Sequence, residues 1–411
     1  MITMSVPTDP TRHPRRETAL PHPLIAVAAA LGAVVALWPS GLPRGPVTSG
    51  VLAATCVGLA TVASLAATRH RRWRPAAAVA ATVGAAATLI CAALLSASWQ
   101  NALRADLDVA PIGIGWVAWS IIPAVVVFVA LVWLPRTTAV VAATVTALAA
   151  GYLPAAHADD TPTSPRTPAG VLYELDDGAD LRQRSDELVS RWVQAGGLDR
   201  HAVVIAVPTG SGWVDATAVD GYRDRFAGDV EILAIQYADQ PSWRAFVGDR
   251  AAAGRSAIAL LRAVADRTAT RPAGHRPEIH LYGQSLGAIG AEEARVWAAT
   301  ARPGTITETL LAGVPGDSIA REPGPGARRI VLANASDPIP RWSISLVWRP
   351  TGEPRDTVTI GRPVRRPPWL PVVGFVQTSA DLLGSLDGTP GVGHRYGTEQ
   401  TSSMSSLSGD G

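Results

Sequence analysis

Ser285 stands in the pentapeptide Gly283-Gln284-Ser285-Leu286-Gly287. A serine hydroxyl is a poor nucleophile at neutral pH. It needs a base in hydrogen-bond reach and a third group to orient that base. A Gly-x-Ser-x-Gly run between a strand and a helix answers the first need, because it lifts the serine onto a strained turn at the strand's carboxyl end. Gly283 and Gly287 are required there because side chains would collide with the neighbouring strand and helix. The N–H of Leu286 then points to where an oxyanion would form. In a chain with 38 glycines the pattern alone could arise by chance. Its context argues against chance: the apolar stretch Glu278–Tyr282 precedes it, and the Ala- and Glu-rich stretch Ala288–Thr300 follows.

In such an arrangement the acid and then the histidine follow the serine along the chain. The only histidine after Ser285 is His394, in Gly391-Val-Gly-His-Arg-Tyr396, a Gly-flanked loop able to carry a ring over a sheet. Read blandly it is a surface-loop histidine. His201, His275 and His280 all precede the serine, and His280 reads as a strand residue. The preferred acid is Asp337, in Asn334-Ala-Ser-Asp-Pro338 just past an apolar stretch, although Asp-Pro is also an ordinary turn. Asp317, in Gly313-Val-Pro-Gly-Asp-Ser318, is the main rival, with Asp381 and Asp387 weaker. A second oxyanion donor is expected from Pro208-Thr-Gly-Ser-Gly212, through the N–H of Thr209 or Gly210. That loop lacks the Gly-Lys-Ser/Thr ending of a phosphate cradle. No His-Glu-x-x-His and no paired cysteines occur, so neither a metal nor a cofactor is expected.

The elements that must hold these residues follow from periodicity. Leu181–Ala195 has apolar residues at helical spacing and stops at Gly196-Gly197. Ala202–Val207 is a solid apolar run, as a buried parallel strand requires. Strands are also expected at Val230–Gln236, Glu278–Tyr282, Thr309–Val314 and Arg329–Ala333, with a helix at Ser256–Val264. Alternation of this kind predicts an α/β fold with a mostly parallel sheet covered on both faces. Chemistry in such sheets collects at the strands' carboxyl ends.

The first third of the chain differs in kind. Five apolar runs, about Leu24–Trp38, Val51–Ala67, Ala76–Ala97, Ile114–Leu134 and Thr138–Leu153, contain no Asp, Glu, Lys or Arg. Five such runs in succession read as transmembrane helices. Arg12, Arg15 and Arg16, the break Arg69-His-Arg-Arg-Trp-Arg74, and Arg136 place alternate breaks in the cytoplasm. The first break has Arg44 alone, and the third has Arg104 with Asp106 and Asp108. Five crossings then put everything from residue 159 outside. Trp38, Trp73, Trp99, Trp116 and Trp133 fall near run ends, as interfacial anchors do. No ionisable residue lies inside a run, so transport has no residue to support it. Ala156-His157-Ala158 resembles a signal-peptidase site, a minor alternative that would release the remainder.

The expected organisation is a basic cytoplasmic tail at 1–21, a transmembrane domain at 22–157 and a linker at 158–170. A soluble domain follows at 171–400, with a disordered tail at 401–411. A net charge of +2 gives no reason to expect nucleic acid as a partner. The two cysteines, Cys56 and Cys91, lie in apolar runs, so the soluble part needs no disulfide.

Taken together, several segments resemble the actinobacterial membrane-anchored alpha/beta-hydrolase family, which carries a multi-span N-terminal domain. They are Ala195-Gly-Gly-Leu-Asp-Arg200, Pro208-Thr-Gly-Ser-Gly-Trp-Val-Asp215, Ile235-Gln-Tyr237, Pro241-Ser-Trp243, Gly283-Gln-Ser-Leu-Gly287, Ala335-Ser-Asp-Pro-Ile339, Trp369-Leu-Pro-Val-Val373 and Gly393-His-Arg-Tyr396. The resemblance implies Ser285 as nucleophile, Asp337 as acid and His394 as base. Gln284 stands where Glu is more usual, and Ser211 where Thr is. The reaction implied is that of a serine hydrolase, an esterase or lipase acting on lipophilic or envelope esters at the bilayer. The alternatives are an acyltransferase with the same residues and a catalytically idle membrane scaffold.

Overall fold

A computed structural model of the protein describes residues 20–68, 73–133, 169–240 and 242–401. The fifth apolar run lies outside these residues. So do the tail through residue 19, the Arg69–Arg72 part of the second break, Arg136, the Ala156–Ala158 segment and residues 402–411.

Four apolar helices come first: α1 (Pro23–Ala36), α2 (Pro46–Thr68), α3 (Pro75–Asp106) and α4 (Ile114–Trp133). The first three open on proline, whose missing N–H and fixed φ suit a first helical position. Among the described residues, α2, α3 and α4 are long and apolar enough to cross a membrane. With 14 residues α1 spans only about 21 Å, short of the hydrocarbon thickness. It packs instead against α2 and α3.

Small residues set the bundle's contacts, as expected where lipid removes any hydrophobic drive between helices. A side chain at Gly50 would bring its Cβ to 2.4 Å from the Trp119 carbonyl oxygen. Gly58 sits against Val127 and Leu131, so α2 and α4 run parallel in close contact. Helix α3 continues past the apolar run ending at Ala97. Its last turns carry Gln100, Asn101, Arg104 and Asp106 and hold the neighbouring loops. Gln100 Oε1 accepts from the Arg44 N–H at 2.9 Å, and Asn101 Oδ1 from that of Ile112 at 2.7 Å.

The second unit is an α/β domain on a seven-stranded sheet, parallel throughout, in the order β1-β3-β2-β4-β5-β6-β7. The strands are β1 (Val171–Glu174), β2 (Ala202–Val207), β3 (Val230–Ile235), β4 (Glu278–Gln284), β5 (Glu308–Ala312), β6 (Arg328–Asn334) and β7 (Thr357–Ile360). β2 is buried along its whole length, and its residues divide between the two faces with the strand period of two. Val203, Ile205 and Val207 join one core with α5 (Leu181–Gln194), α8 (Ala252–Thr268) and α9 (Leu286–Ala301). Ala202, Val204 and Ala206 join the other with Val219 and Tyr222 of α6 (Ala216–Arg225) and with Tyr396. The edge strands β1 and β7, four residues each, carry too little pattern to be read in advance. A short helix α7 (Ser242–Val247) and α10 (Val373–Leu382) complete the described helices of this unit. Thr401 is buried, packed beside Gly221.

The two units touch at one end of the bundle. α10 packs on α1, and Gln377 Nε2 donates to the Val35 and Ala36 carbonyls that α1 leaves open at 2.5 and 3.1 Å. Trp38 Nε1 donates to the Pro368 carbonyl at 3.0 Å. Arg365 pairs with Asp106 at 2.7 Å, and Arg362 with Asp108. Both loops that face the domain, 37–45 and 107–113, therefore lie at the same end of the bundle.

Candidate active site

Ser285 joins the end of β4 to the start of α9 with φ 56° and ψ −121°. Left-handed φ is uncommon for a residue with a side chain, and strain of this kind clusters at functional sites. Its N–H donates to the Ala312 carbonyl at 3.0 Å, tying the turn to the end of β5. The two glycines of the pentapeptide answer to close approach. A Cβ on Gly283 would lie 2.3 Å from the Gly287 carbonyl oxygen, and one on Gly287 would lie 2.2 Å from that of Val207. The second contact also shows that the loop after β2 lies directly against the turn.

Asp337 and His394 meet across 57 residues of chain, with Nδ1 at 2.7 Å from Oδ2. Both are buried, Asp337 at 1% exposure. The carboxylate only accepts, so Nδ1 donates and Nε2 is left as the ring's acceptor. Nε2 is buried and has no hydrogen-bond partner among the described residues, Ser285 included. Nucleophile–base bonds are often loose without substrate. The ring nevertheless lies over the strand end next to the serine: a Cβ on Gly313 would come 2.4 Å from His394 Cε1. Gly313 directly follows Ala312, the partner of the Ser285 N–H.

Four further groups hold this pair. Tyr396 donates its hydroxyl to Asp337 Oδ2 at 2.7 Å, and the Ile339 N–H donates to Oδ1 at 2.9 Å. Burial, reinforced by the Asp337 charge, pushes the Tyr396 phenol well above its usual value, so it remains a donor. Gln284 Nε2 donates to the His394 carbonyl at 3.1 Å, and Asn334 Nδ2 to those of Gly393 and Arg395 at 3.0 Å. The glutamine at 284 thus has a use that glutamate, without a donor, lacks when ionised.

The rival residues go elsewhere. Asp317 accepts from Ser343, Ser345 and the Gly352 N–H and pairs with Arg349. Asp381 pairs with Arg44, and Asp387 is exposed. His280 is buried in β4 with Nε2 at 3.0 Å from Glu278, and burial pulls its imidazole pKa down. Of the two expected second donors, the Thr209 N–H is engaged by the Trp213 carbonyl at 2.9 Å. The N–H groups of Gly210 and Leu286 have no partner among the described residues.

Two sequence family profiles match the chain. One, described as an alpha/beta-hydrolase family, covers residues 169–323 and 319–409; the other, described as the N-terminus of an alpha/beta-hydrolase family, covers 37–161. No curated protein and no solved structure matches.

Proposed function

The chain belongs to the alpha/beta-hydrolase family, and from this premise we propose that it is a membrane-anchored serine esterase acting through an acyl-serine intermediate. The observation that carries the reading is the buried Asp337–His394 pair beside a strained Ser285 at the end of β4. Ser285 Oγ adds to the ester carbonyl carbon while its proton passes to His394 Nε2. The oxyanion takes the free N–H groups of Leu286 and Gly210. As the carbon–oxygen bond breaks, the Nε2 proton goes to the leaving alcohol. Water then adds to the acyl-serine, again giving its proton to Nε2, and the acid leaves as Ser285 is reprotonated. Asp337 holds the ring and stabilises its cationic form throughout.

The domain's position favours lipophilic substrates. Ile344, Trp348, Leu370 and Val372 are exposed, Trp348 at 61%. Their two segments are joined by the Val372 N–H to the Val347 carbonyl at 2.8 Å and by Trp369 Nε1 to that of Leu346 at 3.1 Å. The Trp38–Pro368 bond holds this unit at the end of α1, which supports an interfacial position for the patch. The same end carries the 37–45 and 107–113 loops. Both are at the opposite end of the bundle from Thr68 and Pro75, the helix ends that flank the basic second break, which supports an extracytoplasmic domain.

The test is a membrane-impermeant fluorophosphonate applied to intact cells. Labelling in the native protein and none in Ser285→Ala is the expected result. Labelling only after lysis would reverse the orientation, and no labelling in either would overturn the esterase reading. Turnover of p-nitrophenyl esters only on adding an alcohol would instead mark an acyltransferase.

A further inference from the structure

Arg44 is the lone charge of the first break between apolar runs, and the structure buries it. Its Nε and Nη2 reach Asp381 Oδ1 at 3.0 and 2.7 Å, with the two residues 6% and 4% exposed. Nη1 donates to Gln377 Oε1 at 2.6 Å and Nη2 to the Gln377 carbonyl at 2.7 Å. The other Asp381 oxygen accepts from the Gly41 N–H at 2.7 Å. On the bundle side the Arg44 backbone is itself clamped. Its N–H donates to Gln100, and its carbonyl accepts from Arg104 and Trp116 at 3.0 Å each.

The carboxylate held in this way lies four residues before Ser385, in a tight turn. Gly384 N–H donates to the Asp381 carbonyl at 3.2 Å. The Ser385 carbonyl accepts the N–H of His394 at 2.7 Å. A second contact reaches the same loop from the other side. Val392, two residues before His394, packs against Leu42, Leu103 and Leu107 of the bundle.

We infer that the membrane bundle positions the catalytic base: Arg44 fixes Asp381, and with it the 383–396 segment that seats His394. The inference rests on reading His394 as the base. Arginine suits the task because its planar fork fixes orientation as well as charge. Without Arg44 the buried Asp381 carboxylate loses its hydrogen-bonded counter-ion, and the segment must move to hydrate it. A shift of about 1 Å at a reacting group can cost about a hundredfold in rate. The hydrolase domain is therefore complete in fold but tuned by the membrane part of its own chain. Arg44 touches no reacting atom and is a positioning residue.

The test uses the full chain in detergent micelles, with Arg44→Ala, Arg44→Lys and Asp106→Ala. The last removes a different contact between bundle and domain. Two quantities are read: the rate of fluorophosphonate labelling at Ser285, and hydrogen–deuterium exchange of amides 383–396. Arg44→Ala is expected to slow labelling by about tenfold or more and to speed exchange in 383–396, with β2 and β4 unchanged. Arg44→Lys should recover part of the rate, and Asp106→Ala should stay within about twofold of the native protein. Native labelling in Arg44→Ala, or unchanged exchange in 383–396, would overturn the inference. If Arg44→Ala loosens the whole sheet, Val392→Ala decides by the same two readouts. If the native protein itself does not label, the reading of the triad fails, and exchange alone decides whether Arg44 orders the segment.

Discussion

The Tyr396 hydroxyl donates to Asp337 Oδ2 at 2.7 Å, the same oxygen that takes His394 Nδ1. Both donors act on one carboxylate atom, so the phenol helps fix where that oxygen sits and therefore how the imidazole is turned. The hydroxyl also accepts from the Asn334 N–H at 3.2 Å, which anchors it to the end of β6. Tyr396→Phe leaves that N–H and one carboxylate lone pair unmet. A lost hydrogen bond to a charged group is worth about 1.5–3 kcal/mol, so kcat should fall about tenfold or more with KM little changed. Steady-state kinetics on a short-chain p-nitrophenyl ester check this.

Gly313 has φ +58° and lies under the His394 ring, where a Cβ would stand 2.8 Å from Nδ1 and 3.0 Å from Asp337 Oδ2. Gly313→Ala should therefore displace the ring or separate the pair. The expected outcome is a loss of fluorophosphonate labelling by about a hundredfold, with the protein still folded by circular dichroism. Labelling at the native rate would show that the ring is held elsewhere in solution.

The apolar patch predicts a split between substrates. Ile344→Asn with Trp348→Ser removes two exposed side chains, 65% and 61% accessible, and should cost little in stability. Hydrolysis of a long-chain ester dispersed in vesicles should fall severalfold, since interfacial binding scales with buried apolar area. Hydrolysis of a water-soluble short-chain ester should not change. Equal losses on both would place these residues in the active site instead of at the bilayer.

Asp317 predicts a response to acid. Burial raises its carboxyl pKa, but the hydrogen bonds from Ser345, Ser343 and Gly352 and the Arg349 charge outweigh it and leave it below the ordinary value. A carboxylate depressed in the folded state stabilises the fold above its unfolded pKa, about 3.9. That stability is lost as pH falls through the folded value. Asp317→Asn should therefore lower the melting temperature at pH 6 and flatten its fall between pH 5 and pH 3, as differential scanning fluorimetry can record. A variant whose melting curve keeps the full native acid slope would remove Asp317 from the cause.

Much of this protein is readable along the chain because the signals are local. The solid apolar run of β2 announces a strand buried on both faces, and Gly283 and Gly287 announce a turn that tolerates no side chain. The order Ser285, Asp337, His394 points to the candidate residues, and the apolar runs free of charge mark the bundle. Each signal depends on neighbours within a few residues, where period and steric bulk decide. The edge strands β1 and β7 escape because four residues each, without clean alternation between buried and exposed, show no clear period. The reach of α3 beyond Ala97 escapes because Gln100 and Arg104 look like loop residues until their partners in the 37–45 loop are known.

Partnership across the chain is the tertiary structure's alone. The chain favours Asp337 over Asp317 as the partner of His394 without excluding either, because each follows a strand end. Only the fold places one beside the ring and the other among serines. Arg44 and Asp381, 337 positions apart, carry no mark of each other in the sequence. They meet because α10 caps the end of α1, which brings two charges out of water together where each needs the other. Residue types and local geometry along the chain are enough to point to hydrolase chemistry and to the family, since both depend on near neighbours. The tertiary structure decided which groups share a proton, a counter-ion or a surface, since those interactions act through space over a few ångströms and are blind to distance along the chain.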